Sequence, residues 1–264
     1  MSFLQIGGTR LECRWIGPGA DEAPTIVFLH EGLGSVSTWR DFPDALAAQT
    51  GCGALVYSRA GYGASDSVPL PRPVRFMHDE AQVLREILAQ TGIRRSILLG
   101  HSDGASIALI AAGTAPLPGL QALVLEAPHV FAEPHGLRSI ARIADVYRTT
   151  SLRERLARHH GANVDTAFRG WNDVWLHPDF RAWNIRDVLP GVTVPTLVVQ
   201  GEDDEYGTWA HVECIERQAP GPVETLRIPR CGHAPHAEQR DVVLAAMARF
   251  IRDVSAAPSL RCSA

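Results

Sequence analysis

The sequence has no long apolar run, no block of basic residues and no paired-cysteine spacing, and each absence narrows what it can be. Without a stretch of about 20 apolar residues there is no candidate membrane span. The opening MSFLQIGGTR has only a short apolar run and no basic n-region, so no signal peptide is expected there. A net charge of −4 with no Lys/Arg cluster argues against nucleic acid as the main partner. Arginine far outnumbers lysine, which reflects coding bias more than chemistry. The five cysteines, at 13, 52, 214, 231 and 262, are odd in number and show no C-x-x-C. Free thiols in a reducing cytoplasm are therefore expected, and no metal site.

What is present suits a soluble globular protein: 264 residues, 45% hydrophobic and 20% charged, enough for one generous domain with an insertion. Two strand-like pieces, FLQI and RLECRWI, open the chain around Gly7 and Gly8. TIVFLHEG (25–32), GALVYSR (53–59), SILLG (96–100), QALVLEA (121–127) and TLVVQG (196–201) are near-continuous apolar runs, the mark of strands buried on both faces. Helices are predicted around Trp39 to Ala48, over 77–91, 208–218 and 241–254, with ETLRIP (224–229) as a last strand. Strands alternating with helices imply a mostly parallel sheet covered on both faces, an α/β class. Residues 132 to 190 break that rhythm with an all-helical pattern too long for a loop. The expected organisation is a core of 1–131 and 191–264 with a helical cap inserted at 132–190. The tail AAPSLRCSA is expected to be mobile.

The stretch SILLGHSDGASIALIAA carries the strongest chemical signal. A short strand runs into Gly100-His101-Ser102-Asp103-Gly104, then into a small-residue helix, which is the setting that G-x-S-x-G requires. A serine on such a turn projects its hydroxyl, and the following helix directs free N–H groups and a positive dipole end at a forming anion. The serine needs a base, and the base needs an orienting acid. In this architecture such groups gather at the carboxyl ends of the strands. Two loops lie there: Glu202-Asp203-Asp204-Glu205 after TLVVQG, and Cys231-Gly232-His233-Ala234-Pro235-His236 after ETLRIP. Glu126, at the end of the strand before the insertion, is a further candidate acid. Cys231 has no partner histidine arranged for it and reads as a bystander; His101 reads as structural.

Taken together, the HEGLGS loop, the serine elbow, the acid loop and the Gly-His step resemble the α/β-hydrolase family with a helical cap. The resemblance covers nearly the whole chain. It implies a cofactor-free serine hydrolase and selects Asp204 as the acid and His233 as the base, in the order Ser102, Asp204, His233. It also implies an oxyanion hole built from the amide of Asp103 and one from the HEGLGS loop. The family commonly reads His-Gly-x there, whereas Glu31 stands in place of the first glycine. Gly32 is then the expected donor, with Leu33 as the alternative. Glu31 puts a charge near the site, facing either substrate or solvent.

Glu31, Leu33, Trp171 and Trp175 are candidate substrate contacts. Most of the aromatics in the insertion (Phe168, Trp171, Trp175, Phe180, Trp183) are expected to pack it onto the core. Six of its arginines (Arg138, Arg142, Arg148, Arg153, Arg155, Arg158) could attract an anionic substrate, but their spacing mostly suits a solvated face with acids interleaved. The function these features imply is hydrolysis of a small carboxylic ester, lactone or thioester in the cytoplasm, by a monomer or homodimer whose partner is a small molecule, not nucleic acid or membrane. Alternatives are C–C bond hydrolysis of a ring-fission diketone, by the same triad, and a ligand receptor that keeps the fold with little turnover.

Overall fold

A computed structural model describes residues 2–256. The tail expected to be mobile, with Cys262, lies outside them beyond Ala256. Eight strands form one sheet in the order β1-β2-β4-β3-β5-β6-β7-β8. β1 (Ser2–Ile6) and β2 (Thr9–Ile16) run antiparallel at one edge. The others pair in parallel: β3 (Thr25–Leu29), β4 (Gly53–Tyr57), β5 (Ser96–His101), β6 (Leu120–Glu126), β7 (Thr196–Gly201) and β8 (Val223–Ile228).

The apolar runs translate directly into this arrangement. Every residue of β3, β4 and β5 is buried, because helices cover both sides of the sheet. Alternate side chains enter separate cores, as the two-residue period of a strand dictates. Val27, Leu29 and Leu98 join the core that includes α2 (Phe76–Thr91) and α3 (Asp103–Thr114). Ile26, Phe28, Ile97 and Leu99 join that of α1 (Phe42–Thr50) and the C-terminal helix Arg240–Ala256.

The helix predicted around Trp39 to Ala48 divides in two. Val36–Trp39 is a 3₁₀ turn, Arg40 takes φ 53°, and α1 starts at Phe42. Pro43 explains the break: lacking an N–H, it is tolerated only in a first turn.

Between β6 and β7 the chain forms α4 (Pro134–Thr149), α5 (Leu152–His160) and α6 (Val164–Trp175), then two 3₁₀ turns, Pro178–Ala182 and Arg186–Gly191. Ile140, Phe168, Trp171, Val174 and Trp175 are buried and continuous with the α2/α3 core. After β7 follow α7 (Ala210–Gln218), the single turn α8 (Pro235–Glu238) and α9 (Arg240–Ala256). Among the described residues no helix is long and apolar enough to cross a membrane. Cys13, Cys52, Cys214 and Cys231 are buried free thiols.

Candidate active site

Ser102 sits between β5 and α3 at φ 55° and ψ −116°, a backbone conformation that a residue with a Cβ adopts only under constraint. The constraint comes from both flanks. Its N–H donates to the Glu126 carbonyl at 2.8 Å, tying the turn to β6. A Cβ on Gly100 would lie 2.4 Å from the Gly104 carbonyl oxygen, and one on Gly104 would lie 2.0 Å from that of Leu29. Both glycines of the pentapeptide are therefore required by close backbone approach.

The loops after β7 and β8 bring an acid and an imidazole to this serine. His233 Nε2 lies 2.9 Å from Ser102 Oγ, and His233 Nδ1 lies 2.8 and 2.9 Å from the two Asp204 carboxylate oxygens. Asp204 also accepts from Gln200 Nε2 (2.7 Å) and from the amides of Tyr206 (2.8 Å) and Gly207 (3.2 Å). Burial alone would raise the Asp204 pKa. The adjacent imidazole and these donors outweigh that and hold it well below the usual carboxylate range. A carboxylate there makes Nδ1 the protonated nitrogen, leaving the Nε2 lone pair toward Oγ. Burial likewise opposes the charged form of His233, but the Asp204 carboxylate prevails and raises its pKa above the ordinary 6.5.

The neighbouring candidates do not reach His233. Asp203 is exposed, with its amide on the Cys231 carbonyl. Glu126 is fully buried but pairs with His236, whose Nδ1 lies 2.9 Å from one carboxylate oxygen and 3.0 Å from the other. His101 Nε2 donates to the His233 carbonyl at 2.7 Å, pinning the loop that carries the imidazole to the strand that carries the serine. Donor atoms of His101, Glu126 and His236 lie within 4.8 Å of one another, a grouping that sequence spacing does not reveal. Burial pushes the Cys231 thiol up to about 12, far from a reactive thiolate at neutral pH.

The HEGLGS loop is held by its carbonyls. Arg59, fully buried, donates to the carbonyls of His30 and Glu31. The Arg59 amide donates to His30 Nε2 (3.1 Å), so His30 Nδ1 carries the proton and donates to the Glu31 carbonyl (2.7 Å). By the same logic His160 accepts at Nδ1 from the Gly63 amide and donates from Nε2 to the Leu33 carbonyl. The amides of Gly32, Leu33 and Asp103 have no partner among the described residues. A Cβ on Gly32 would fall 2.2 Å from the Trp171 ring, so this glycine is the one the indole requires.

These groups open into a cavity of about 130 Å³. Glu31, Leu33, Trp171 and Trp175 all line it, together with Gly32, Ser102 and His233. His129, Ile140 and Tyr206 complete the lining and were not anticipated. His129 follows β6 at its carboxyl end, the position that singled out the acid and base loops, so a signal for it was present. Larger clefts, up to about 520 Å³, lie elsewhere, but those described contain neither Ser102 nor His233. Burial and the neighbouring His211 push the His129 pKa down to about 3, so its ring is neutral. Asp103 is completely buried; Trp175 Nε1 donates to one of its oxygens at 3.1 Å, and the other has no partner. Burial raises the Asp103 pKa to about 6.

Other aromatics of the insertion stack on one another, Phe180 on Trp183 and Phe168 on Tyr147. Arg148 and Arg153 pair with Asp145 and Asp165 at the surface, and no arginine of the insertion lines the cavity.

The sequence profile described as "Alpha/beta hydrolase family" matches residues 26–246, most of the chain. The chain belongs to the alpha/beta hydrolase family. Solved alpha/beta hydrolases share its fold. An esterase from Exiguobacterium antarcticum superposes with a TM-score of 0.75 at 20% identity, covering 95% of this chain and 99% of that one. The enol-lactonase from Burkholderia xenovorans LB400 gives 0.73 at 20% identity, covering 95% and 99%. A 2-succinyl-6-hydroxy-2,4-cyclohexadiene-1-carboxylate synthase from Salmonella paratyphi C is 31% identical over 128 residues, 48% of each chain. The match to such curated relatives thus spans about half their length.

Proposed function

We propose that this alpha/beta hydrolase is a serine hydrolase that cleaves a small carboxylic ester, lactone or thioester through an acyl-enzyme. The observation that carries the reading is the line from Ser102 Oγ through His233 to Asp204, at 2.9 and 2.8 Å, opening into a cavity lined by Trp171 and Trp175. Ser102 Oγ attacks the carbonyl carbon as its proton passes to His233 Nε2. Asp204 holds the imidazole and stabilises the imidazolium. The oxyanion is met by the amides of Asp103 and Gly32, with Leu33 as the alternative second donor; such preorganised donors are usually the largest single contribution. The imidazolium then protonates the leaving group, and the same histidine activates the water that releases the acid. No cofactor takes part.

The helices between β6 and β7 act as a lid in this reading, with Trp171 and Trp175 forming the roof of the pocket and excluding water. The buried free thiols support a cytoplasmic setting, and the partner is the small-molecule substrate.

Steady turnover of a short-chain nitrophenyl ester, with labelling of Ser102 by an active-site phosphonate, tests the proposal. Ser102→Ala should fold normally and lose turnover by on the order of 10⁴- to 10⁶-fold. One slow stoichiometric acylation would favour a receptor, and decay of a coloured dienol diketone without ester turnover would favour C–C hydrolysis. Phosphonate on another residue would overturn the assignment of the nucleophile.

A further inference from the structure

Glu31 is the residue by which this chain departs from the family's glycine-rich loop, and the proposed mechanism does not use it. Its side chain is about a quarter exposed, at 28%. A Cβ on Gly34 would fall 2.0 Å from Glu31 Oε2, so that glycine leaves room for the carboxylate. No donor among the described residues makes a hydrogen bond to this carboxylate. The nearest cationic candidate, His101 Nδ1, is 3.9 Å away, and burial depresses that imidazole's pKa, keeping it neutral.

The surroundings make this carboxylate consequential. Glu31 is among the residues lining the cavity that holds Ser102, and no arginine lines that cavity. His129 is neutral, and the charge of a protonated His233 is matched by Asp204. Trp171, Trp175 and Tyr206 supply aromatic walls. Aromatic faces attract cations through the ring quadrupole, and a nearby carboxylate adds Coulomb attraction. An ionised Glu31 raises the cost of the oxyanion in this cavity, and a cationic substrate would offset that in addition to the backbone amides and the Arg59 guanidinium on the Glu31 carbonyl.

We infer that Glu31 is a specificity-determining residue, and that the site takes small esters carrying an ammonium group while discriminating against carboxylate-bearing ones. The inference rests on the hydrolase reading and adds the substrate class to it. A cavity of about 130 Å³ restricts that class to short chains; drug-sized pockets start at about 300 Å³.

Two isosteric pairs test it: glycine ethyl ester against ethyl propanoate, with the charge on the acyl side, and 2-(dimethylamino)ethyl acetate against 3-methylbutyl acetate, with it on the alcohol side. In at least one pair the cationic member should have a kcat/KM about ten- to a hundredfold higher, relative to its chemical reactivity in buffer. Glu31→Gln should reduce that ratio at least fivefold. Because both members share one enzyme and one pH, any change Glu31 makes to His233 cancels in the ratio, and so does general loosening of the loop. Calorimetric binding of the same four esters to Ser102→Ala supplies a readout without turnover. The cationic member should bind more tightly, and the preference should vanish in Ser102→Ala/Glu31→Gln. Ratios indifferent to Glu31 in both pairs, with neutral esters still turned over through Ser102, would overturn the inference and leave the hydrolase reading intact. Absence of all ester turnover with a Glu31-dependent binding preference would do the reverse.

Discussion

Replacing Asp103 by asparagine separates the electrostatics of the elbow from its shape. The carboxylate is fully buried next to Ser102 in the chain, accepts one hydrogen bond from Trp175, and has its pKa raised from 3.8 to about 6, chiefly by desolvation. In the unfolded chain the same group ionises near its ordinary value. Between those two values the folded state binds the proton more tightly, so folding stability attributable to Asp103 falls as pH rises through the window. A gap of about two pH units, at about 1.4 kcal/mol per unit, amounts to about 3 kcal/mol.

Asparagine keeps an oxygen for the Trp175 indole and has nothing to titrate. Its NH₂ group meets the position where one carboxylate oxygen has no partner, which shifts stability by a pH-independent amount. The measurement is urea unfolding of wild type and Asp103→Asn at about pH 4 and about pH 8, taking the difference between the proteins at each pH. All other titrating groups are common to both and cancel. Relative to wild type, the variant should gain about 2 kcal/mol between the lower and the higher pH, slightly less than the full gap because the unfolded carboxyl is already half ionised at the start. Curves that stay parallel across that range would refute the reasoning and mean that Asp103 is not held in a desolvated state.

Three further predictions address the proposed reaction. Asp204→Asn should lower kcat by up to about 10⁴-fold on an ester substrate, while Asp203→Asn, at an exposed position, should stay within about twofold. The reverse pattern would reassign the acid. Since Asp204 raises the His233 pKa and the base must be neutral, kcat/KM should fall as pH decreases through a value above 6.5, and residual activity in Asp204→Asn should persist to lower pH; a profile flat down to about pH 4 would exclude His233 as the base. Gly32→Ala should push Trp171 aside, because the added methyl would lie 2.2 Å from its ring. Relative rates across a series of acyl lengths should then change more than Tm does; unchanged rates would mean that the indole does not shape the pocket.

Much of this protein was legible in one dimension because the relevant physics is local. Apolar runs such as TIVFL and GALVY can be satisfied only by burial on both faces, and they became central strands. Pro43 carries a signal for where α1 begins that the expected span around Trp39 to Ala48 did not use. The elbow was readable because Gly100 and Gly104 flank a serine between a strand and a helix, and their backbones do approach too closely for any Cβ. The residue order and strand ends confined the acid and the base to two short loops.

Within those loops it was the family resemblance that selected Asp204 and His233; the physical reason, direction in space, is not carried by residue spacing. Asp204 is buried beside His233 while Asp203, one residue earlier, faces solvent. Glu126 is engaged by His236, 110 residues further on, and so is kept from the proposed base. The indole of Trp175 crosses 72 residues of sequence to reach Asp103, and Glu31 lines the cavity with no side-chain hydrogen bond among the described residues. The amino-acid sequence alone determined the strands, the turn and the set of groups able to do chemistry, because backbone sterics and apolar burial act between near neighbours. Tertiary structure alone decided which of those groups meet, because hydrogen bonds and charge interactions act over a few ångströms of space, whatever the distance along the chain.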